Sequence, residues 1–253
     1  MFSFPSYLKK APQLNHSLLP VGLVVTGMET YALGDIHGAF RALEQVLERS
    51  PFRPGIDRLI HLGDVSDGWP DTAECVERLL NIPNSIWLQG NHDWWTAEWM
   101  ATESPREEVN MLWYQQGGRA TFESYERKPK EQTERHFRTF FGKQLPYFED
   151  EVGNLYVHGG YDPDLPIAEQ DPYSLIWDRT LWRNGMFAED YHECFIGHTP
   201  TWPASAVPCQ RANVWNLDQG AAYGGQLSLM NVRTKEFVQS DVVQTLYPGV
   251  KGR

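Results

Sequence analysis

The 253-residue chain is long enough for one large domain with one core, and 41% hydrophobic with 13% aromatic residues is a folded composition rather than a disordered one. Its 22 Lys and Arg stand against 33 Asp and Glu, a net charge of −11 whose field repels duplex nucleic acid and anionic membrane surfaces. An anionic substrate would need a concentrated local source of positive charge, and bound metal ions supply one most readily.

Residues 1–27 carry no motif and read as an N-terminal extension ahead of a domain over 28–245. Their apolar stretch, Leu18 to Val25, is short, contains Pro20 and Gly22 and lacks a small-residue cleavage site, so neither a signal peptide nor a membrane span is expected. Past Met28, Thr30 to Leu33 reads as a buried strand running into Gly34-Asp35-Ile36-His37-Gly38. Phe40, Leu43, Val46 and Leu47 then recur at helical spacing until Ser50-Pro51. The pattern repeats: Arg58 to Leu62 as strand, Gly63-Asp64-Val65-Ser66-Asp67-Gly68 as loop, and a helix with Cys75, Val76, Leu79 and Leu80 inward. Asp71 is expected to cap that helix, with Glu74 completing a capping box. A third strand, Ser85 to Leu88, delivers Gly90-Asn91-His92-Asp93. Three strand-loop-helix units in a row predict an α/β fold with parallel strands and loops gathered at one edge.

Residues 94–141 read as a helical insert that caps or flanks this edge, punctuated by Gly117-Gly118 and Pro129. Short strands return at Leu155 to Val157 before His158-Gly159-Gly160, at Cys194 to Ile196 before Gly197-His198-Thr199-Pro200, and at Val214 to Leu217. Leu227 to Asn231 and Glu236 to Gln239 form a predicted hairpin, and 246–253 a C-terminal tail. Cys75, Cys194 and Cys209 are odd in number and contain no Cys-x-x-Cys pair, which fits a reducing cytoplasm and argues against a disulfide framework or a cysteine zinc site.

Five loops thus follow apolar strands and end in oxygen or imidazole donors: Asp35 and His37, Asp64 and Asp67, Asn91 and His92, His158, His198. Each motif alone is weak, since a Gly-Asp turn is commonplace; five together describe a dinuclear centre. Hard divalent ions take carboxylate, amide and imidazole ligands, and a carboxylate can bridge two of them. Asp64 is the candidate bridge, with Asp35 and His37 on the first ion and Asn91, His158 and His198 on the second. Such a pair lowers the pKa of a bridging water and clamps phosphoryl oxygens during in-line displacement. His16, His61, His136 and His192 lie outside the motifs and read as surface or core residues.

Through GDIHG (34–38), GDVSDG (63–68), GNHD (90–93), HGG (158–160) and GHTP (197–200), in that order, the chain resembles the calcineurin-like metallophosphoesterases. Within them it is similar to bacterial serine/threonine protein phosphatases and symmetrical diadenosine tetraphosphate hydrolases, over roughly residues 28 to 240. The resemblance implies a two-sheet β sandwich flanked by helices, with metals at the strand ends. It also implies roles: His92 as general acid oriented by Asp67, and Arg179 and Asn91 as phosphate-binding groups. Two positions depart from the protein-phosphatase pattern, since Gly68 and Gln89 stand where that family carries arginines.

The leading expectation is a phosphate-monoester hydrolase, with serine/threonine phosphoproteins among its candidate substrates and a metal-activated hydroxide as nucleophile. Its cofactor would be two divalent ions, manganese first, iron or zinc as alternatives. Gly68, Gln89 and the tryptophans Trp94, Trp95 and Trp99 motivate a second reading, cleavage of a nucleotide anhydride or phosphodiester, although those indoles more readily pack the insert. A non-catalytic phosphate-binding module is the third reading. The expected partner is a phosphorylated substrate, whether phosphoprotein, small phosphoester or nucleotide, with no nucleic-acid duplex, no membrane and a monomeric state.

Overall fold

A computed structural model describes residues 27–102 and 109–253. The expected extension at 1–27 lies outside them except for Gly27, as does His16. Three strand-loop-helix units open the described chain: β1 (Thr30–Leu33) to α1 (Phe40–Arg49), β2 (Arg58–His61) to α2 (Thr72–Leu80), β3 (Ser85–Trp87) to α3 (Asn91–Met100). β2 pairs in parallel with both β1 and β3, so the loops that follow all three emerge at the same edge. The insert continues through α4 (Met111–Trp113), a wide turn over Tyr114–Gly118, α5 (Arg119–Glu126) and α6 (Lys130–Thr139).

The second half supplies β4 (Tyr147–Glu149), β5 (Leu155–Val157), α7 (Pro172–Trp177), α8 (Thr180–Arg183), β6 (Cys194–Ile196), β7 (Cys209–Arg211) and β8 (Val214–Asn216). β9 (Ser228–Asn231) and β10 (Phe237–Gln239) form the predicted hairpin, and α9 (Val243–Leu246) follows. Two mixed sheets result, ordered β10-β9-β1-β2-β3 and β4-β5-β6-β8-β7.

Strand periodicity explains why the sheets stack. Ala32, Ile60, Tyr156, Phe195 and Met230 point into one shared cluster between the sheets. Their neighbours Tyr31, Leu33, Leu59 and Leu229 face the opposite way, onto a cluster with Val46 of α1, Val76 of α2 and Trp113 of the insert. Leu155, Val157, Cys194 and Ile196 do the same on the other sheet, beneath Leu175 of α7 and Leu181 of α8. This is a two-sheet sandwich with helices on both outer faces.

The expected cap of α2 differs. Asp71 occupies the N-cap position but makes no side-chain capping bond; its Oδ2 accepts from the Tyr247 hydroxyl at 2.8 Å. Ser124 Oγ of α5 accepts from Ala73 N at 3.1 Å instead, and Glu74 turns to Lys128. A tertiary donor and acceptor have displaced the local box. After α9 the chain folds back across the first sheet's loops: Tyr247 stacks on Trp69 with centroids 5.1 Å apart, and Arg253 N donates to Ala222 O at 2.9 Å. No helix among the described residues is long and apolar enough to cross a membrane.

Candidate metal centre

The loops after β1, β2, β3, β5 and β6 converge, and their backbones are shaped for it. His37, Asp64, Asp67 and His198 all adopt positive φ, at 52°, 58°, 71° and 63°. Such left-handed conformations are uncommon outside glycine and cluster where a site over-determines them. Two glycines make the approach possible. A Cβ on Gly90 would lie 2.1 Å from Asp64 Oδ1, and one on Gly197 would lie 2.1 Å from Asp35 Oδ1.

The predicted ligands meet as two triads that share one residue. Asp35, His37 and Asp64 offer donor atoms within 4.8 Å of one another, and so do Asp64, His158 and His198. Within them His37 Nε2 stands 4.0 Å from Asp35 Oδ2 and 3.7 Å from Asp64 Oδ2, and His158 Nε2 stands 3.3 Å from Asp64 Oδ2. Asn91 Oδ1 joins the second group, 3.3 Å from His158 Nε2. All six side chains are buried.

The far side of each imidazole is already committed. His37 Nδ1 lies 2.8 Å from Asp67 O and 3.0 Å from Ser66 O, His158 Nδ1 lies 2.7 Å from Leu62 O, and His198 Nε2 lies 3.2 Å from Trp177 O. A carbonyl only accepts, so each of these nitrogens carries a proton and the other nitrogen of each ring faces inward, where its lone pair can serve a cation. Asp35 Oδ1 is buried without a hydrogen-bond partner. Inward lone pairs, packed carboxylates and an orphaned carboxylate oxygen are what a cation cage needs and what an apolar core avoids. These clusters are able to bind metal.

Electrostatics point the same way. Burial, then the Asp218 carboxylate, raises Asp35 well above the ordinary carboxyl range. Burial pushes Asp64 upward too, but the His158 and His92 imidazoles outweigh it and hold it well below that range. Burial opposes a proton on His158, yet Asp64 lifts it to about 9; burial drives His37 down to about 4. Without a cation, His158 itself supplies the positive charge the carboxylates demand.

His92 and Asp67 adjoin the triads. His92 Nδ1 lies 2.7 Å from Asp67 Oδ2, while His92 N donates to Asp64 Oδ1 at 2.9 Å. Asp67 is held by Thr121 Oγ1 and Trp113 Nε1, each donating at 2.8 Å. Arg179, half-buried, directs Nη2 to His198 O at 3.4 Å. Gly68 has φ +127°, a conformation that strains any side chain, and Gln89 is buried at 7% exposure. Trp99 is buried in the insert's packing and Trp94 is buried edge-on against Tyr173 of α7, whereas Trp95 meets His92 edge-on at 5.2 Å and Trp177 meets His198 edge-on at 5.9 Å.

Three contributors escaped sequence reading. Asp93 accepts from the backbone N–H groups of Asp64, Val65 and Ser66 and from Gln144 Nε2, which locks the second loop's shape. Its place in the GNHD motif marked it, but not this role. Asp218, buried beside Asp35, lies outside every motif. Arg253 reaches His92 Nε2 from the end of the returning segment, where no local pattern announces it.

A model described as the calcineurin-like phosphoesterase family matches residues 28–229. Serine/threonine-protein phosphatase 1 of Salmonella typhimurium (strain LT2) is 28% identical over 212 residues, covering 80% of this chain and 91% of that protein. A symmetrical bis(5'-nucleosyl)-tetraphosphatase of Pseudomonas putida (strain GB-1) is 25% identical over 190 residues, covering 74% of this chain and 61% of that protein. The crystal structure of a candidate diadenosine tetraphosphatase superimposes with a TM-score of 0.63 at 17% identity, covering 84% of this chain and 92% of the other, which speaks for a shared fold.

Proposed function

This chain belongs to the calcineurin-like phosphoesterase family and is a phosphoric ester hydrolase, and from that premise we propose that it hydrolyses phosphate monoesters, phosphoserine and phosphothreonine peptides among them. The observation that carries the reading is the pair of buried donor triads sharing Asp64. Asp35 and His37 would hold one divalent cation, Asn91, His158 and His198 the other, and Asp64 both. The mixed oxygen and imidazole donor set suits manganese, with iron or zinc as alternatives. Bound there, the cations supply a water of lowered pKa and stabilise charge on the phosphoryl oxygens.

The chain's own residues do the rest. Arg179 orients the phosphoryl group with its forked donors. His92 delivers a proton from Nε2 to the leaving oxygen, and Asp67 fixes the ring through Nδ1–H, an arrangement of the kind that contributes roughly 10²- to 10⁴-fold in rate. The three free cysteines, two of them buried, support a reducing compartment, the cytoplasm, and a monomer is the proposed working state.

Hydrolysis of p-nitrophenyl phosphate and of phosphopeptides with added Mn²⁺ tests this. If the metal-loaded protein turns over no ester, the proposal fails. The aromatic wall of Trp95 and Trp177, whose rings meet at 5.2 Å beside His92 and His198, favours a second reading in which a nucleobase stacks there. Chromatography of products from dinucleoside polyphosphates and cyclic nucleotides separates the two; consumption of monoesters alone removes the second.

A further inference from the structure

One cation at this site comes from an unexpected place. Beyond α9, the Tyr247–Trp69 stack turns the chain back toward the loops, and Gly252 packs so closely on Trp69 that a Cβ there would lie 2.6 Å from the indole. Arg253 N then donates to Ala222 O at 2.9 Å. A Cβ on Gly68 would point toward the same carbonyl, 3.9 Å away. Both positions therefore lie near the Ala222 carbonyl, and at Gly68 the backbone conformation disfavours any side chain.

The Arg253 guanidinium lies on His92 Nε2, reaches Gln116 Oε1 at 3.2 Å and sits 6.0 Å from the Tyr223 ring centroid. No carboxylate pairs with it in the ion pairs of the described residues. Its charge is felt at His37, at His92 and at Arg179, while that of Arg179 is felt at His92, His198 and Asp218. Both guanidinium charges thus act on the same imidazole, and they oppose each other. An anion between them would remove that repulsion and satisfy both forks. A guanidinium can only donate, so in this arrangement His92 Nε2 accepts and carries no proton. The proposed acid can bear its proton there only when Arg253 has moved off.

We propose that Arg253 is a substrate-binding residue that closes on the phosphoryl group opposite Arg179, leaving His92 Nε2 for the anion when the ester binds. The anion-binding part stands on its own; the ester-binding part rests on the function proposed above.

The test compares the wild type with Arg253→Ala and Arg253→Lys, each with Mn²⁺ and with metal content and Tm checked. Calorimetry with inorganic phosphate measures binding, and p-nitrophenyl phosphate kinetics separate KM from kcat. Arg253→Ala is expected to raise both the phosphate Kd and KM by about ten- to a hundredfold at unchanged metal content, the loss typical of a charge-assisted pair, with Lys restoring part of it. Unchanged Kd and KM in Arg253→Ala would overturn the proposal. So would a gain in kcat/KM, which would make the returning segment a plug. If the wild type binds phosphate through Arg253 yet hydrolyses nothing, the anion-binding part stands and the phosphomonoesterase reading falls with the ester-binding part.

Discussion

His92 is held between partners with opposite demands. Asp67 Oδ2 accepts from its Nδ1–H at 2.7 Å, while the Arg253 guanidinium occupies Nε2. Burial drives this imidazole down to about 3, with the Arg253 and His158 charges adding to the effect and Asp64 opposing it. Asp67 moves the other way, up to about 7 through burial, although Thr121 and Trp113 both donate to it. Burial thus disfavours the charged form of both members of the dyad. His92→Asn keeps a side-chain amide near Asp67 but has no proton to give a leaving group, and His92 is in neither donor triad. We expect kcat to fall about 10²- to 10⁴-fold with metal content retained, and the deficit to grow as the leaving group becomes more basic. Steady-state kinetics over a series of aryl phosphates measures this; a deficit independent of the leaving group would remove His92 from the acid role.

At the scale of elements, strands that end in a ligand loop were legible because an apolar run feeds directly into a glycine and a donor. β1, β5 and β6 begin and end where that pattern predicts. β4 and β7 were not, since each is a short edge strand of half-exposed residues whose pairing, not its composition, defines it. The residues of the two donor triads could be read because they lie within motifs; Asp218 and Arg253 could not, because only tertiary folding brings them to the site. The α2–α6 contact offers a test of an element rather than of the site. Glu77 of α2 accepts from His136 Nε2 at 2.9 Å and pairs with Arg135, and these partners, His136 foremost, hold its carboxyl down at about 2. A depressed carboxyl contributes stability above its unfolded value, near 4.5, and loses it as pH falls through about 2. Side-chain exposure of 38% limits the contribution to about 0.5 kcal/mol. Glu77→Gln should therefore lower the urea midpoint at pH 7, and the gap to wild type should close between about pH 4.5 and 2.

Over the whole molecule, the cage is divided between the sheets. Asp35, His37, Asp64 and Asn91 follow strands of one, and His158 and His198 follow strands of the other. Cation binding therefore ties the two layers together and stabilises only the assembled sandwich. At a hundred times Kd it adds about 2.7 kcal/mol, or a Tm gain of roughly 5–10 °C for a domain of this size. The pH dependence follows from His158, whose raised value, about 9, means that the metal-free fold gains stability from this proton below the unfolded value near 6.5 and loses it as pH rises through 9. Metal must displace that proton, so the Mn²⁺-induced Tm gain should be larger at pH 8 than at pH 6. Differential scanning calorimetry with and without chelator measures it, and an equal gain at both pH values would contradict the assignment of His158. The edge-on indoles bring a further consequence. Because Trp95 abuts His92 and Trp177 abuts His198, light emission from those two rings will register whatever charge or paramagnetic ion arrives beside them, and the protein carries a built-in optical gauge of its own occupancy.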